Sequence, residues 1–145
     1  MGKPFKGERL QWTEDNIYQS IDLIKKYLTP DLVQVKWKED NKTCAVAGHC
    51  HTASGALYML FGPKYLEIWR GPDPEGLHFW VVRKDTKEII DITSAQYPDG
   101  YNYLDGNKSI MLSYSYYYNA KSVYLKVLCQ LRCSSQSREA KKNPY

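Results

Sequence analysis

Long apolar runs are missing from this chain. No segment approaches the roughly 18 consecutive apolar residues that a membrane span requires. The amino-terminal "MGKPFKGERLQW" has neither an apolar signal core nor the Ser/Thr of a myristoylation motif. The expectation is a protein that stays where it is made, in the cytoplasm, and keeps its four cysteines (Cys44, Cys50, Cys129, Cys133) as free thiols. Blocks of like charge are missing too. The 20 Lys and Arg and 16 Asp and Glu leave a net charge of +4, scattered except in "SREAKKNPY". That tail, expected to be flexible from about residue 134, reads as a solvated end rather than a nucleic-acid arm. There is no internal repeat and no low-complexity linker, so the 145 residues read as one domain (1–145). With 43% hydrophobic and 25% charged residues, the composition is that of an ordinary globular domain, and a folded chain is expected.

The periodicities that are present outline an α+β order. In "WTEDNIYQSIDLIKKYLTP", Thr13 is a good N-cap, acidic residues follow it, and Ile17, Ile21, Ile24 and Leu28 recur at helical spacing up to Pro30. "DLVQVKWKED" alternates like a short strand, with a helix starting at Pro30 as the other reading. A helix is expected from about His49 to Phe61, ended by Gly62-Pro63. "KYLEIWRGPDPEG" reads as running into a Pro- and Gly-rich loop. "LHFWVVR", the turn "KDTK" and "EIIDIT" form the clearest hairpin. "SAQYPDGYNYLDGNKS" is a turn-rich connection, and "IMLSYSYYY" reads as a strand or a tyrosine-packed loop. "NAKSVYLKVLCQLRC" closes the domain as a helix, with Cys129 and Cys133 sharing one face as buried small residues.

The chemistry concentrates in "AVAGHCHTASGALYMLFGP". Cys50 lies at a helix start, where the dipole and unpaired N–H groups favour a thiolate. On the hairpin, two registers are open. A loop at Asp85-Thr86 sets Trp80 opposite Asp91 with His78 diagonal to it; a loop at Lys84-Asp85 sets His78 opposite Asp91. Both place the imidazole and the carboxylate on one face. Nucleophile, base and orienting carboxylate thus occur in the order Cys50, His78, Asp91. The Cys50–His78 contact is tertiary and does not follow from local pattern.

The pattern "GHC…A…ALY", followed by "H-x-W" and "IIDIT..Q", resembles the papain-like cysteine hydrolase superfamily over roughly Gly48 to Gln96. Its small transglutaminase-like, arylamine-acetyltransferase-like and NlpC-like branch is the most similar, including short bacterial and phage proteins. The resemblance implies a helix carrying the Cys packed on a small antiparallel sheet carrying His and Asp. It also implies a triad of Cys50 as nucleophile, His78 as base and acid and Asp91 as orienting group, acting on an amide or ester. It implies no cofactor or metal, and a peptide or small amide as substrate. The second oxyanion donor is open, with His49, His51, Gln34 and Gln96 as candidates. Trp80 either walls the cleft or braces the hairpin.

Other readings stand beside this one. Cys44, His49, Cys50, His51 and His78 offer thiolate and imidazole ligands for zinc, although their spacing fits no finger or ribbon. Asp91 between isoleucines needs a partner whether or not there is catalysis. Tyr114, Tyr116, Tyr117, Tyr118 and Tyr124 are a binding platform or an amphipathic core segment. Trp69, Arg70 and "GPDPEGL" are a substrate rim or a plain surface loop. A non-enzymatic binding or host-interaction protein on the same fold is the alternative class.

Overall fold

The computed structural model describes residues 7–33, 38–45, 47–74, 76–109 and 114–142. Among them are four α-helices and one four-stranded antiparallel sheet of order β3-β2-β1-β4. Helix α1 (Glu14–Tyr27) starts where its sequence signals place it. Thr13 Oγ1 accepts the Asn16 N–H at 3.1 Å, and Ile17, Ser20 and Ile24 turn inward. A 3-10 turn at Pro30–Leu32 follows, then the short helix α2 (Lys38–Thr43). The alternation after Pro30 therefore becomes a turn and a helix, with residues 34–37 outside the described set.

Helix α3 (Cys50–Phe61) is the centre of the molecule. Its run from Thr52 to Leu57 is buried on every side, with the small hydroxyl residues Thr52 and Ser54 enclosed among the apolar ones. It packs on β1 and β2 on one side and on α1 and α4 on the other. Ala53, Ala56, Leu57 and Leu60 share this core with Ala120, Val123, Tyr124 and Val127 of α4 (Tyr114–Lys142). Gly62 ends α3 at φ +91, a left-handed conformation that favours glycine.

Strand β1 (Leu66–Asp73) occupies the segment expected to be a loop. Two strand breakers hid it, and both are accommodated. Pro72 stands opposite Leu77 of β2 (Gly76–Arg83). The Arg83 N–H donates to Glu88 O at 2.9 Å, toward β3, so the odd-numbered residues of β2 turn their backbone groups away from β1. Pro72 therefore sits at a non-hydrogen-bonded position, where a missing N–H costs the β1–β2 ladder nothing. Gly71 is the other breaker: a Cβ there would lie 2.4 Å from Tyr101 Oη and 3.0 Å from Trp80.

The register Val81↔Ile90 and Val82↔Ile89 is the first of the two expected, with Trp80 facing Asp91. The second strand of that hairpin is shorter than expected. β3 is only Ile89–Ile90, because Asp91 turns the chain out of the sheet: its Oδ1 accepts the Thr93 N–H, and its carbonyl the Ser94 N–H. β4 (Asn107–Ser109) pairs with β1.

Side-chain alternation gives the sheet two different faces. Leu66, Ile68, Val81 and Ile90 enter the helical core. His78 and Trp80 point the other way, under the connection from Thr93 to Gly106. Trp80 lies so close beneath Gly106 that an added Cβ would come within 2.4 Å of its ring. The Gly106 backbone is ordinary (φ −82), so only space forbids a side chain. Gly106→Ala should cost about 1–3 kcal/mol, seen as a lower urea midpoint at unchanged slope.

Cys129 and Cys133 are exposed, not buried as expected. The core-facing stripe of α4 runs through Ala120, Val123, Tyr124, Val127 and Leu128, which leaves the two cysteines on the solvent side with the half-exposed Leu125. In the tyrosine segment, residues 110–113 lie outside the described set, and the chain is helical from Tyr114. There Tyr117 packs against the core, Tyr118 is exposed, and Tyr124 is buried with its hydroxyl donating to Glu8 O.

Candidate active site

The residues of the "H-x-W … D-x-T-x-x-Q" pattern meet in one closed hydrogen-bond ring. His78 is fully buried, and its Nε2 lies 2.7 Å from Asp91 Oδ2. Asp91 Oδ1 accepts from Thr93 Oγ1 at 3.4 Å. Thr93 Oγ1 accepts from Gln96 Nε2 at 2.9 Å, and the same amide reaches His78 Nδ1 at 3.3 Å. The donors fix the tautomer. A carboxylate only accepts, so Nε2 carries the proton and Nδ1 presents a lone pair, into which the second Gln96 N–H donates.

The spacing of the pattern follows from this ring. Asp91 to Thr93 is one Asx-type turn, and the 3-10 turn Ser94–Gln96 carries the glutamine back over the imidazole. A further donor escaped the sequence reading: Tyr103 Oη donates to Asp91 Oδ2 at 2.7 Å. Tyr97 and Tyr101 pack edge-on against the His78 ring, each with centroids 4.7 Å away. Tyr97 also donates to the Asp73 carboxylate, and burial raises the hydroxyls of Tyr97, Tyr101 and Tyr103 above their ordinary range. These tyrosines lie in the segment read only as turns. Their one sequence signal was their density in "QYPDGYNY". Trp80 is buried beneath Tyr101 and Tyr103, which makes it the brace of the hairpin rather than a cleft wall.

Cys50 takes the first position of α3, half-buried. Its sulfur sits on the edge of β2. β3 covers only Val81 and Val82, so the Leu77 carbonyl and the Phe79 N–H, which flank His78, are left without a strand partner. The thiol donates to Leu77 O at 3.9 Å and receives the Phe79 N–H, with the His51 N–H also directed at it. No hydrogen bond joins Cys50 to His78 in this structure; the thiol seats against the strand on either side of the imidazole. Desolvation outweighs these N–H groups and, with Asp91 and Asp73 nearby, pushes the thiol up to about 11. The lowering expected at a helix start is thus reversed in sign, because burial is the larger effect.

His49 and His51 do not join the ring. His49 is fully buried with neither ring nitrogen hydrogen-bonded, and desolvation lowers it to about 4. His51 packs edge-on against Phe79, on the face of β2 away from His78, and is likewise lowered to about 4 by burial. Gln34 lies outside the described residues. Among the described residues no group of three or more His, Cys, Asp or Glu side chains is arranged to hold a metal ion, so Cys44, His49, Cys50, His51 and His78 form no zinc cluster there. Nor is any helix among them long and apolar enough to cross a membrane.

Comparison with known proteins yields no matching family model, no matching curated protein and no matching solved structure.

Proposed function

We propose that this chain is a cysteine-dependent hydrolase or acyltransferase of papain-like topology, acting on a peptide or small amide or ester. The observation that carries the reading is the imidazole: Asp91 holds His78 with Nε2 protonated, and its Nδ1 lone pair belongs to the residue between the two backbone groups that seat Cys50. Cys50 passes its proton to Nδ1 and attacks the carbonyl carbon. The tetrahedral intermediate collapses to a thioester as His78 protonates the leaving amine or alcohol. Water or an acceptor amine, deprotonated by Nδ1, then releases the acyl group and restores the thiol.

A small activated ester such as p-nitrophenyl acetate tests this directly. The acetyl adduct should accumulate on Cys50 in the wild type and be lost in His78→Ala. Acetylation spread over Cys129 and Cys133 according to exposure would remove the catalytic reading.

The charges beside the thiol give a second expectation. Asp91 and Asp73 both act on the Cys50 sulfur, so the approach to it is anionic and aromatic in a chain of net charge +4. A methanethiosulfonate reagent bearing an ammonium group should modify Cys50 several-fold faster than its sulfonate counterpart, with the ratio shrinking in high salt. Equal rates would show that these carboxylates do not set the local field.

A non-enzymatic binding protein is the second reading, and one observation favours it. The thiol is raised to about 11 while the base lone pair already has a donor, so the resting site is quiet. The ester experiment separates the two.

A further inference from the structure

The quiet state has a specific keeper. Both hydrogens of the Gln96 amide are committed, one to Thr93 Oγ1 at 2.9 Å and one to His78 Nδ1 at 3.3 Å. The Thr93 bond aims the amide, since Thr93 is itself buried and tied to Asp91. Gln96 is only half-buried, on a three-residue 3-10 turn, whereas Thr93 is buried and the Asp91 side chain is almost wholly enclosed, so the glutamine has room to leave where they do not. Nδ1 is the only position on the imidazole that can take a proton from the thiol, because Nε2 already carries one for Asp91.

We propose that Gln96 is a positioning residue that keeps the site latent: its amide occupies the His78 lone pair needed by Cys50, and the thiol becomes nucleophilic only when Gln96 lets go. The inference rests on the cysteine-hydrolase reading and adds a regulatory step to it. On release the proton moves from Sγ to Nδ1, giving a thiolate and an imidazolium, and the freed Gln96 N–H turns to water or to an acceptor on the substrate. Nothing is consumed. Asp91 stays in place throughout, held by Tyr103 and Thr93.

The test compares wild type, Gln96→Ala and Gln96→Met. Methionine fills the space but has no N–H to give. Iodoacetamide modification of each cysteine is followed by mass spectrometry from pH 6 to 10, and the imidazole nitrogens of His78 are followed by 15N NMR. Both variants should modify Cys50 about ten-fold faster near pH 7, the scale of one neutral hydrogen bond withdrawn from the base. The gain should vanish when His78→Ala is added, and the Nδ1 resonance should move while Nε2 stays protonated. Cys129 and Cys133 serve as internal references, since they lie far along α4 and should not change.

Acceleration in the alanine variant alone would mean that the side chain merely blocks access, and would overturn the proposal. An unmoved Nδ1 resonance, or no acceleration in either variant, would do the same. The parent reading is judged separately by the ester adduct. If that adduct still depends on His78 while Gln96 has no effect, the latch is wrong and the enzyme stands; if it never depends on His78, both fall.

Discussion

Asp91→Ala should cost the fold about 2–5 kcal/mol, a large share of the roughly 5–15 kcal/mol that holds an ordinary domain together. The carboxylate accepts four hydrogen bonds: from His78 Nε2, Tyr103 Oη, Thr93 Oγ1 and the Thr93 N–H. Its side chain is 4% exposed, and that of His78 is fully buried. Truncation leaves the imidazole N–H and the tyrosine hydroxyl with no acceptor in a region water does not reach, and the full desolvation penalty of each group is felt. The ring also fixes the turn that takes the chain out of β3, so the loss spreads to the Thr93–Gly106 cover over Trp80. Asp91→Asn should cost less, because an amide oxygen still accepts from one arm while its N–H₂ opposes the other. Urea titration at pH 7 measures both. A loss under about 1 kcal/mol for the alanine variant would mean that the ring is decoration and that packing around Trp80 alone holds this face.

Acid should weaken this fold from about pH 6.5 downward, before its carboxylates begin to be neutralised. His49 and His51 each have a folded value near 4 against an ordinary 6.5, and in both cases burial is the leading cause. The direction follows from linkage. A lowered folded value means that the unfolded chain takes the proton first, so stability is unaffected above pH 6.5. It falls as pH drops toward 4 and loses nothing further from these groups below that. Each histidine accounts for about 3 kcal/mol over that interval, with the attraction of Asp31 already offsetting part of the burial at His49. Thermal or urea midpoints should therefore fall steeply between pH 6 and pH 4.5. His49→Leu should remove much of the slope while changing little at pH 7, since neither His49 nitrogen has a hydrogen bond to lose. An unchanged slope in that variant would assign the acid sensitivity elsewhere.

Half of the candidate site was legible because it obeys period-two alternation. His78, Trp80 and Asp91 share a face in either plausible register, and a carboxylate between isoleucines had to find a donor. The ring partners Thr93 and Gln96 were visible as a spacing before they had a physical reason. Helices α1 and α3 were equally plain, through a Thr N-cap, regular isoleucines and a Gly-Pro stop. β1 was hidden because Gly71 and Pro72 read as punctuation, and only the neighbouring strand reveals that neither disrupts a hydrogen bond there. The state of Cys50 was illegible for a related reason. A helix start argues for a thiolate, but the seat against Leu77 and Phe79 is made by two elements distant in sequence, and its desolvation decides the sign. Cys129 and Cys133 were expected inside and lie outside, because i, i+4 spacing names a shared face without saying which one.

The two halves of the site differ in how they come together during folding. Every member of the ring, from His78 through Asp91, Thr93 and Gln96 to Tyr103, comes from one continuous stretch of chain. Closing loops of that size costs little entropy, so this stretch can organise as a hairpin and its cover with few distant contacts. Cys50 arrives from another element, and its place on the β2 edge exists only once α3 has docked between the sheet and α4. Partial opening of the helical layer would therefore bare the sulfur while leaving the imidazole and its carboxylate still paired. The protection of Cys50 against a slow thiol reagent thus reports on the docking of α3, and separates that event from the unfolding of the sheet.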